Sequence, residues 1–182
     1  KMGLAGDTLL VFSSDHGDML GSHRFALKQM PFRESVGIPL LMRLPGRIPA
    51  GTVSDALFAP IDVMPTLLGL CGLECPKVDG LDMSQAALGV RHDQREAMLL
   101  MKPGMPWGIA YAANCVTPWR GVKTKTHTYA RLNDRGPWIL FDDANDPAQM
   151  NNLVRDPACA ELAKRLDAVT TKLLAEANDP DD

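Results

Sequence analysis

The first apolar run of the chain is short and has no polar alternation. Residues 8–12 read TLLVF and are followed at once by the polar sequence SSDHGD. An unbroken apolar run of this length predicts a strand buried on both faces, as in parallel sheets covered by helices. Because ligands bind beyond the carboxyl ends of such strands, the pattern predicts a strand over 8–14 and a candidate site directly after it.

Two further elements are predicted in the first half of the chain. A second strand is expected over 38–43, where Pro39 places it at a sheet edge or at a strand start. Asp62 is a suitable N-cap for a helix that has Pro65 in its first turn. Gly72 is expected to end this helix, since glycine adopts the left-handed conformation that closes helices.

The second half has the pattern of an antiparallel meander. Residues 97–101 predict a strand, and residues 120–132 alternate in part between inward and outward positions, which predicts another. The turn sequence 133–137 separates this strand from the apolar run 138–141. Together they predict an antiparallel hairpin.

The final helix has the clearest pattern in the sequence. Asp156 is its expected cap, Pro157 takes its first position, and the helix is expected to end before Asn178. Four apolar residues spaced by four, three and four positions form one stripe: Leu162, Leu166, Val169 and Leu173. The stripe predicts a helix packed against the small sheet.

Composition narrows the possible functions. The 182 residues are 46% hydrophobic and 23% charged, which is ordinary for a globular domain, and the net charge is −3. No basic run supports a nucleic-acid partner, and no apolar stretch approaches the ~18 residues that span a membrane. The sequence opens on Lys1 and shows no signal peptide, so we expect a piece of a longer protein and predict no compartment.

The number and spacing of the four cysteines favour free thiols over a metal site or disulfides. Cys71 and Cys75 are separated by three residues, which resembles half of a zinc site, but no second pair accompanies them. We therefore expect buried or half-buried free thiols and no disulfide framework.

Most of the candidate chemistry lies after the first strand. Asp15 offers a carboxylate suited to a hard divalent cation, and His16 adds an imidazole that manganese accepts more readily than calcium. Two ligands do not complete a coordination shell, so a capping aspartate and a hydrogen-bonded histidine remain the alternative. Lys28 can hold a tetrahedral oxyanion or be an ordinary surface lysine. His23 can donate to an anion or protonate a leaving group, or simply face solvent from its loop.

Several blocks of the sequence, taken in order, resemble the carboxyl half of type I sulfatases of the alkaline-phosphatase-like superfamily. The blocks are SSDHGDMLGSH at 13–23 followed by Lys28, FRESVGIPLLMRLPG at 32–46, APIDVMPTLL at 59–68, WRGVKT at 119–124, WILFD at 138–142, NDP at 145–147 and MNNL at 150–153.

The resemblance implies an α/β fold that is the carboxyl-terminal part of a sulfatase fold. It would contain parallel-sheet strands with helices in a catalytic part over 1–95, and a small antiparallel sheet with a terminal helix over 96–182. The implied activity is hydrolysis of a sulfate ester, on a small molecule or a sugar, to an alcohol and sulfate by the full-length enzyme. Two alternatives stay open: a phosphonate monoester or phosphodiester hydrolase of the same superfamily, and a fragment with a structural role only.

The resemblance also implies roles for individual residues. Asp15 and His16 match a pair of metal ligands, with calcium as the first choice and manganese or magnesium as alternatives. Lys28 matches the lysine that contacts the sulfate, and His23 is a candidate substrate contact in the loop between them. The family's catalytic formylglycine arises in a Cys-x-Pro-x-Arg motif that no cysteine of this chain fits, so it is expected upstream. An exposed sheet edge left by missing strands would favour homo-oligomers.

Overall fold

The computed structural model describes residues 2–90, 95–103 and 117–179. These residues form two compact units, the first from 1–15 with 38–96 and the second from 16–37 with 97–182. The domain boundary expected between residues 95 and 96 stays a prediction. No helix in the described part of the chain is long and apolar enough to cross a bilayer.

The first unit contains a two-stranded antiparallel sheet. β1 (Leu10–Ser13) pairs with β2 (Leu40–Arg43), and Phe12 lies opposite Leu41. Phe12 is 62% exposed and Leu41 is 60% exposed. The prediction that the first strand is parallel and buried on both faces is therefore wrong for the described residues. An apolar run favours a strand, but it determines neither the direction of the partner strand nor what covers its faces.

The main helix of the first unit begins and ends where the sequence predicts. α2 (Val63–Cys71) is followed by Gly72 at φ 69°, and the Gly72 N–H donates to the carbonyls of Gly69 and Leu68. The left-handed glycine satisfies carbonyl groups that the helix would otherwise leave unpaired. A short helix, α3 (Ser84–Ala87), follows later in the unit.

Asp62 does more than begin α2. Its carboxylate accepts the backbone N–H of Ala59 at 2.7 Å and that of Leu81 at 2.8 Å, and it pairs with Arg95 Nη2 at 2.6 Å. The residue is fully buried, so these three donors compensate for the loss of water around the charge. Asp62 therefore connects three separate segments of the first unit, which its position before a helix does not reveal.

The second unit is built on a four-stranded antiparallel sheet in the order β3-β4-β5-β6. The strands are β3 (Ala97–Lys102), β4 (Trp119–Thr124), β5 (His127–Leu132) and β6 (Gly136–Asp142). The predicted hairpin is confirmed as β5 with β6. A single strand over 120–132 is wrong, because the chain turns between β4 and β5. Thr124 Oγ1 accepts the backbone N–H groups of Thr126 and His127 there, which stabilises the turn.

The terminal helix packs on this sheet as predicted. Asp156 accepts the N–H of Ala158 at 2.9 Å and caps a short turn that leads into α4 (Ala160–Glu176). Leu166 lies in one buried cluster with residues of all four strands, and Leu162, Val169 and Leu173 pack against it. The predicted α/β class, with its small antiparallel sheet and carboxyl-terminal helix, is confirmed.

A hydrogen bond also joins α4 to β5 at this interface. The Tyr129 hydroxyl donates to Asp167 Oδ1 at 2.9 Å. Burial, together with this hydrogen bond to a carboxylate, raises the pKa of Tyr129 far above its ordinary value. The phenol is therefore neutral and serves to attach α4 to β5.

The thiols of Cys71, Cys75 and Cys159 are free, as expected. Cys71 and Cys75 are nevertheless exposed, because one ends α2 and the other lies in the loop behind it. Cys115 lies outside the described residues.

Candidate functional site

The segment between β1 and β2 adopts an unusual backbone. Within it lies α1 (Arg33–Val36), and the loop before this short helix holds five residues other than glycine with left-handed φ angles between 45° and 77°. They are Leu20, His23, Arg24, Leu27 and Gln29. Each such residue costs of order 1–3 kcal/mol, and strained residues of this kind cluster at functional sites.

The sheet of the second unit holds this loop in place. The indole N–H of Trp119 donates to the carbonyl of Gln29 at 2.9 Å. Met19 and Met30 are each 1% exposed and pack in one buried cluster with Trp119. The strain of the loop is therefore offset by apolar burial and by a hydrogen bond from β4.

A buried amide anchors the end of the same loop. Gln149 is 2% exposed, and its Oε1 accepts the backbone N–H of Arg33 at 2.8 Å. Its Nε2 donates to Asp143 at 2.6 Å, and the same carboxylate pairs with Lys123 Nζ at 2.6 Å and accepts from Thr128. This satisfied network fixes the start of α1 against β4 and β5, since a buried polar group that loses a partner costs several times what one bond contributes.

Gly17 is the point of closest approach in the loop. Its N–H donates to the carbonyl of Ser35 at 2.9 Å. A Cβ at this position would overlap the carbonyl oxygen of Glu34 and lie 3.0 Å from that of Gly37. The residue directly after His16 is therefore a glycine because backbone, not a flexible side chain, occupies the space beside it.

We expect Gly17→Ala to destabilise the protein by about 1–3 kcal/mol, since the added methyl group forces the loop and α1 apart. Urea unfolding monitored by tryptophan fluorescence measures the effect. Gly6→Ala is the matched control, because nothing lies within 4 Å of its added Cβ. Equal stability of the two variants would contradict the close approach.

His16 and Lys28 lie side by side. The Nδ1 of His16 is 2.7 Å from the carbonyl oxygen of Gly17. Because a carbonyl only accepts, Nδ1 carries the proton and Nε2 keeps its lone pair in the neutral ring. The ammonium of Lys28 contacts this Nε2. The backbone of the following residue thus selects the tautomer in which Nε2 can bind a cation, as the outer partners of metal-bound histidines do.

His23 contacts a different set of groups. Its ring stacks on Phe32 with centroids 4.2 Å apart and an angle of 15° between the planes. Its Nε2 lies 3.5 Å from Glu34 Oε1, and its side chain is 12% exposed. Of the sequence-predicted residues, the structure brings His16 and Lys28 together and places His23 against α1.

The donor set fits a divalent cation in part. Asp15 is exposed in the segment that follows β1, and the Nε2 of His16 faces the Lys28 ammonium. Across residues 2–90, 95–103 and 117–179, no group of three or more His, Cys, Asp or Glu side chains is arranged to hold a metal. Within these residues Asp15 and His16 do not complete a coordination shell.

Sequence reasoning missed two residues that hold this loop. Trp119 contacts Gln29 from 90 positions away, and Gln149 contacts Arg33 from 116 positions away. Their roles depend on long-range contacts and on backbone angles, which the local pattern does not contain. The signal that could have indicated Trp119 was its place in the WRGVKT block.

The comparisons with known proteins agree with one another. The family model described as N-sulphoglucosamine sulphohydrolase, C-terminal, matches residues 21–176. An ulvan-active sulfatase of Formosa agariphila is 36% identical over 98% of this chain and 35% of its own length. The chain thus spans about a third of the length of this relative.

Solved structures show the same likeness. A protein in complex with its substrate D-glucosamine-2-N,6-O-disulfate matches 100% of this chain and 37% of its own with a TM-score of 0.86 and 28% identity. The phosphonate monoester hydrolase of Agrobacterium radiobacter matches 96% of this chain and 36% of its own with a TM-score of 0.80 and 25% identity. The two structures differ little in fold similarity to this chain.

Proposed function

Because the chain belongs to the N-sulphoglucosamine sulphohydrolase C-terminal family, we propose that it forms the carboxyl-terminal part of a sulfatase. The full-length enzyme would hydrolyse a sulfate ester to an alcohol and sulfate. The contact between the Lys28 ammonium and His16 Nε2 is the observation that carries the proposal, since an ammonium is a natural partner of sulfate oxygens and His16 is a candidate metal ligand.

Each residue of the candidate site has a proposed role. Lys28 would pair with oxygens of the sulfate and stabilise the negative charge that develops on them. Asp15 and His16 would supply a carboxylate oxygen and Nε2 to a divalent cation, calcium first and manganese or magnesium as alternatives. His23 would contact the substrate or donate a proton to the leaving oxygen. A formylglycine from outside this chain would supply the nucleophile.

The proposed substrate is a sulfated sugar. The sulfatase relative is active on ulvan, and the structural neighbour with the highest TM-score quoted above binds a glucosamine disulfate. The glucosamine disulfate carries two sulfate groups. Self-association of the full-length enzyme is part of the same proposal.

A phosphonate monoester or phosphodiester hydrolase is the second candidate function. It is favoured by the similarity to the phosphonate monoester hydrolase, which has nearly the same fold over this chain. Lys28 and His16 do not separate the two, because sulfate and phosphonate esters both present anionic oxygens to a lysine. The third candidate is that the chain has a structural role only.

Parallel assays of the full-length enzyme separate these functions. We expect kcat/KM for an aryl sulfate to exceed that for an aryl phosphonate monoester and an aryl phosphodiester, in the presence of calcium or manganese. The reverse order would favour the second candidate. Turnover of none of the three esters would leave the structural role.

A further inference from the structure

A depression in the second unit lies beside the candidate site. It has a volume of about 560 Å³ and lies between the loop that holds His23 and Arg24 and the region of β6. Phe32 and Trp138 contribute apolar surface to it, and Met150 at its rim is 76% exposed. Pockets with mostly apolar walls and few polar groups are typical of small-molecule sites.

Nearly all polar side chains of the lining are committed to other groups. The Gln149 amide bonds to Arg33 and Asp143, as described above. The Asn152 amide accepts the N–H of Leu140 and donates to the carbonyl of Trp138. Both protons of the Gln149 amide are used, whereas Asn152 Nδ2 donates one of its two protons to the Trp138 carbonyl.

Arg24 differs from the other lining residues. Among the described residues its guanidinium has neither a hydrogen bond nor an ion pair, and the side chain is exposed. The backbone holds it at φ 64°, which an ordinary side chain adopts only when its surroundings impose it. The backbone strain and the free guanidinium together indicate a residue presented to a ligand.

We propose that this depression binds a second anionic group of the substrate, a carboxylate or a further sulfate on a saccharide, with Arg24 as the contacting cation. A guanidinium pairs with both groups through two parallel hydrogen bonds. The apolar walls suit the C–H face of a sugar ring. The inference rests on the proposed function, which it deepens by making the substrate polyanionic.

The anion at Arg24 is not the one that Lys28 would hold, although His23, a proposed contact of the cleaved ester, also lines the depression. Lys28 and His16 are not among the described residues that line the depression. Lys28 nevertheless follows Arg24 by four positions in one loop. A saccharide with two anionic groups could therefore engage both cations of the loop, whereas a small aryl sulfate engages Lys28 alone.

Calorimetry on the full-length enzyme tests the proposal with three probes. They are methyl glucuronide, a methyl glucoside 6-sulfonate that cannot be hydrolysed, and neutral methyl glucoside. We expect Arg24→Gln to weaken at least one anionic probe about tenfold or more, on the scale of one charge-assisted hydrogen bond. Weaker binding of the glucuronide by this variant identifies a carboxylate site, and weaker binding of the sulfonate identifies a second sulfate site.

Two further variants complete the experiment. Arg24→Lys keeps the charge but not the planar fork, so its loss should be intermediate. Arg135→Gln is the matched control, because this arginine of the β5–β6 turn has a side chain that is 71% exposed. An unchanged affinity in Arg24→Gln, an equal loss in Arg135→Gln, or no binding of either anionic probe at millimolar concentration would overturn the proposal.

Hydrolysis of 4-nitrophenyl sulfate separates this proposal from the proposed function. Arg135→Gln should hydrolyse it at the wild-type rate, and Arg24→Gln should lose less kcat/KM for it than for a disulfated monosaccharide, because 4-nitrophenyl sulfate carries one anion only. If wild type fails to hydrolyse it while the anionic probes bind in an Arg24-dependent way, the sulfatase assignment fails and the anion site stands.

Discussion

Lys28→Ala is expected to lower kcat of the full-length enzyme for sulfate esters at least ~100-fold, about 2.7 kcal/mol of transition-state stabilisation. The loss should fall on kcat more than on KM, because charge on the sulfate oxygens grows as the ester bond breaks. Steady-state kinetics with 4-nitrophenyl sulfate measure it. Wild-type turnover in this variant would remove Lys28 from the site.

Two further variants show whether the lower kcat results from loss of the Lys28 ammonium at the site. Lys172→Ala removes a side chain that is 73% exposed on α4, so it should leave kcat unchanged. Lys28→Arg keeps the charge but replaces a compact ammonium by a planar fork, and should recover part of the rate only. Stability should change little in either Lys28 variant, because Lys28 is exposed and the loop is held through Trp119 and the buried methionines.

The elements that the sequence predicted best are those specified by local chemistry. Asp156 and Pro157 begin the terminal helix, an apolar stripe packs it on the sheet, and Gly72 ends α2. In each case one residue or one periodicity decides the structure, within a few positions of where it acts. The β5–β6 hairpin belongs to the same class, because turn residues lie between two apolar runs.

The elements that the sequence predicted wrongly depend on distant partners. The apolar run before Asp15 forms β1, but its antiparallel pairing with β2 is set by a strand almost thirty positions later. The break between β4 and β5 depends on one hydroxyl, that of Thr124, which accepts two backbone N–H groups. Threonine is also a good strand residue, so the alternating pattern hides the turn.

The candidate site shows the same division. The family resemblance indicated Lys28 and His16, which the structure brings together. The hydrogen bond that selects the His16 tautomer and the left-handed backbone at Arg24 depend on how the whole loop folds. Residue types alone do not encode such features, so only the structure could reveal them.

Asp15→Ala is expected to weaken divalent-cation affinity of the full-length enzyme by at least ~100-fold, since loss of even an outer-shell partner costs 10–100-fold. Turnover should fall in parallel and recover in part as the cation concentration is raised. Cation titration by calorimetry, with turnover measured at each concentration, tests both statements. Asp15→Asn keeps an oxygen donor without its charge, so it should lie between Asp15→Ala and wild type.

Asp7→Ala is the matched control for this experiment. Asp7 lies before β1 and Asp15 lies after it, and both are exposed residues of the first unit. Either substitution to alanine changes the net charge by the same amount. A general electrostatic effect on a cation would therefore appear in both variants, whereas ligation affects Asp15→Ala alone. Affinity lost with turnover intact, or turnover lost with affinity intact, would contradict the ligand role, because a carboxylate that binds the catalytic cation must link the two.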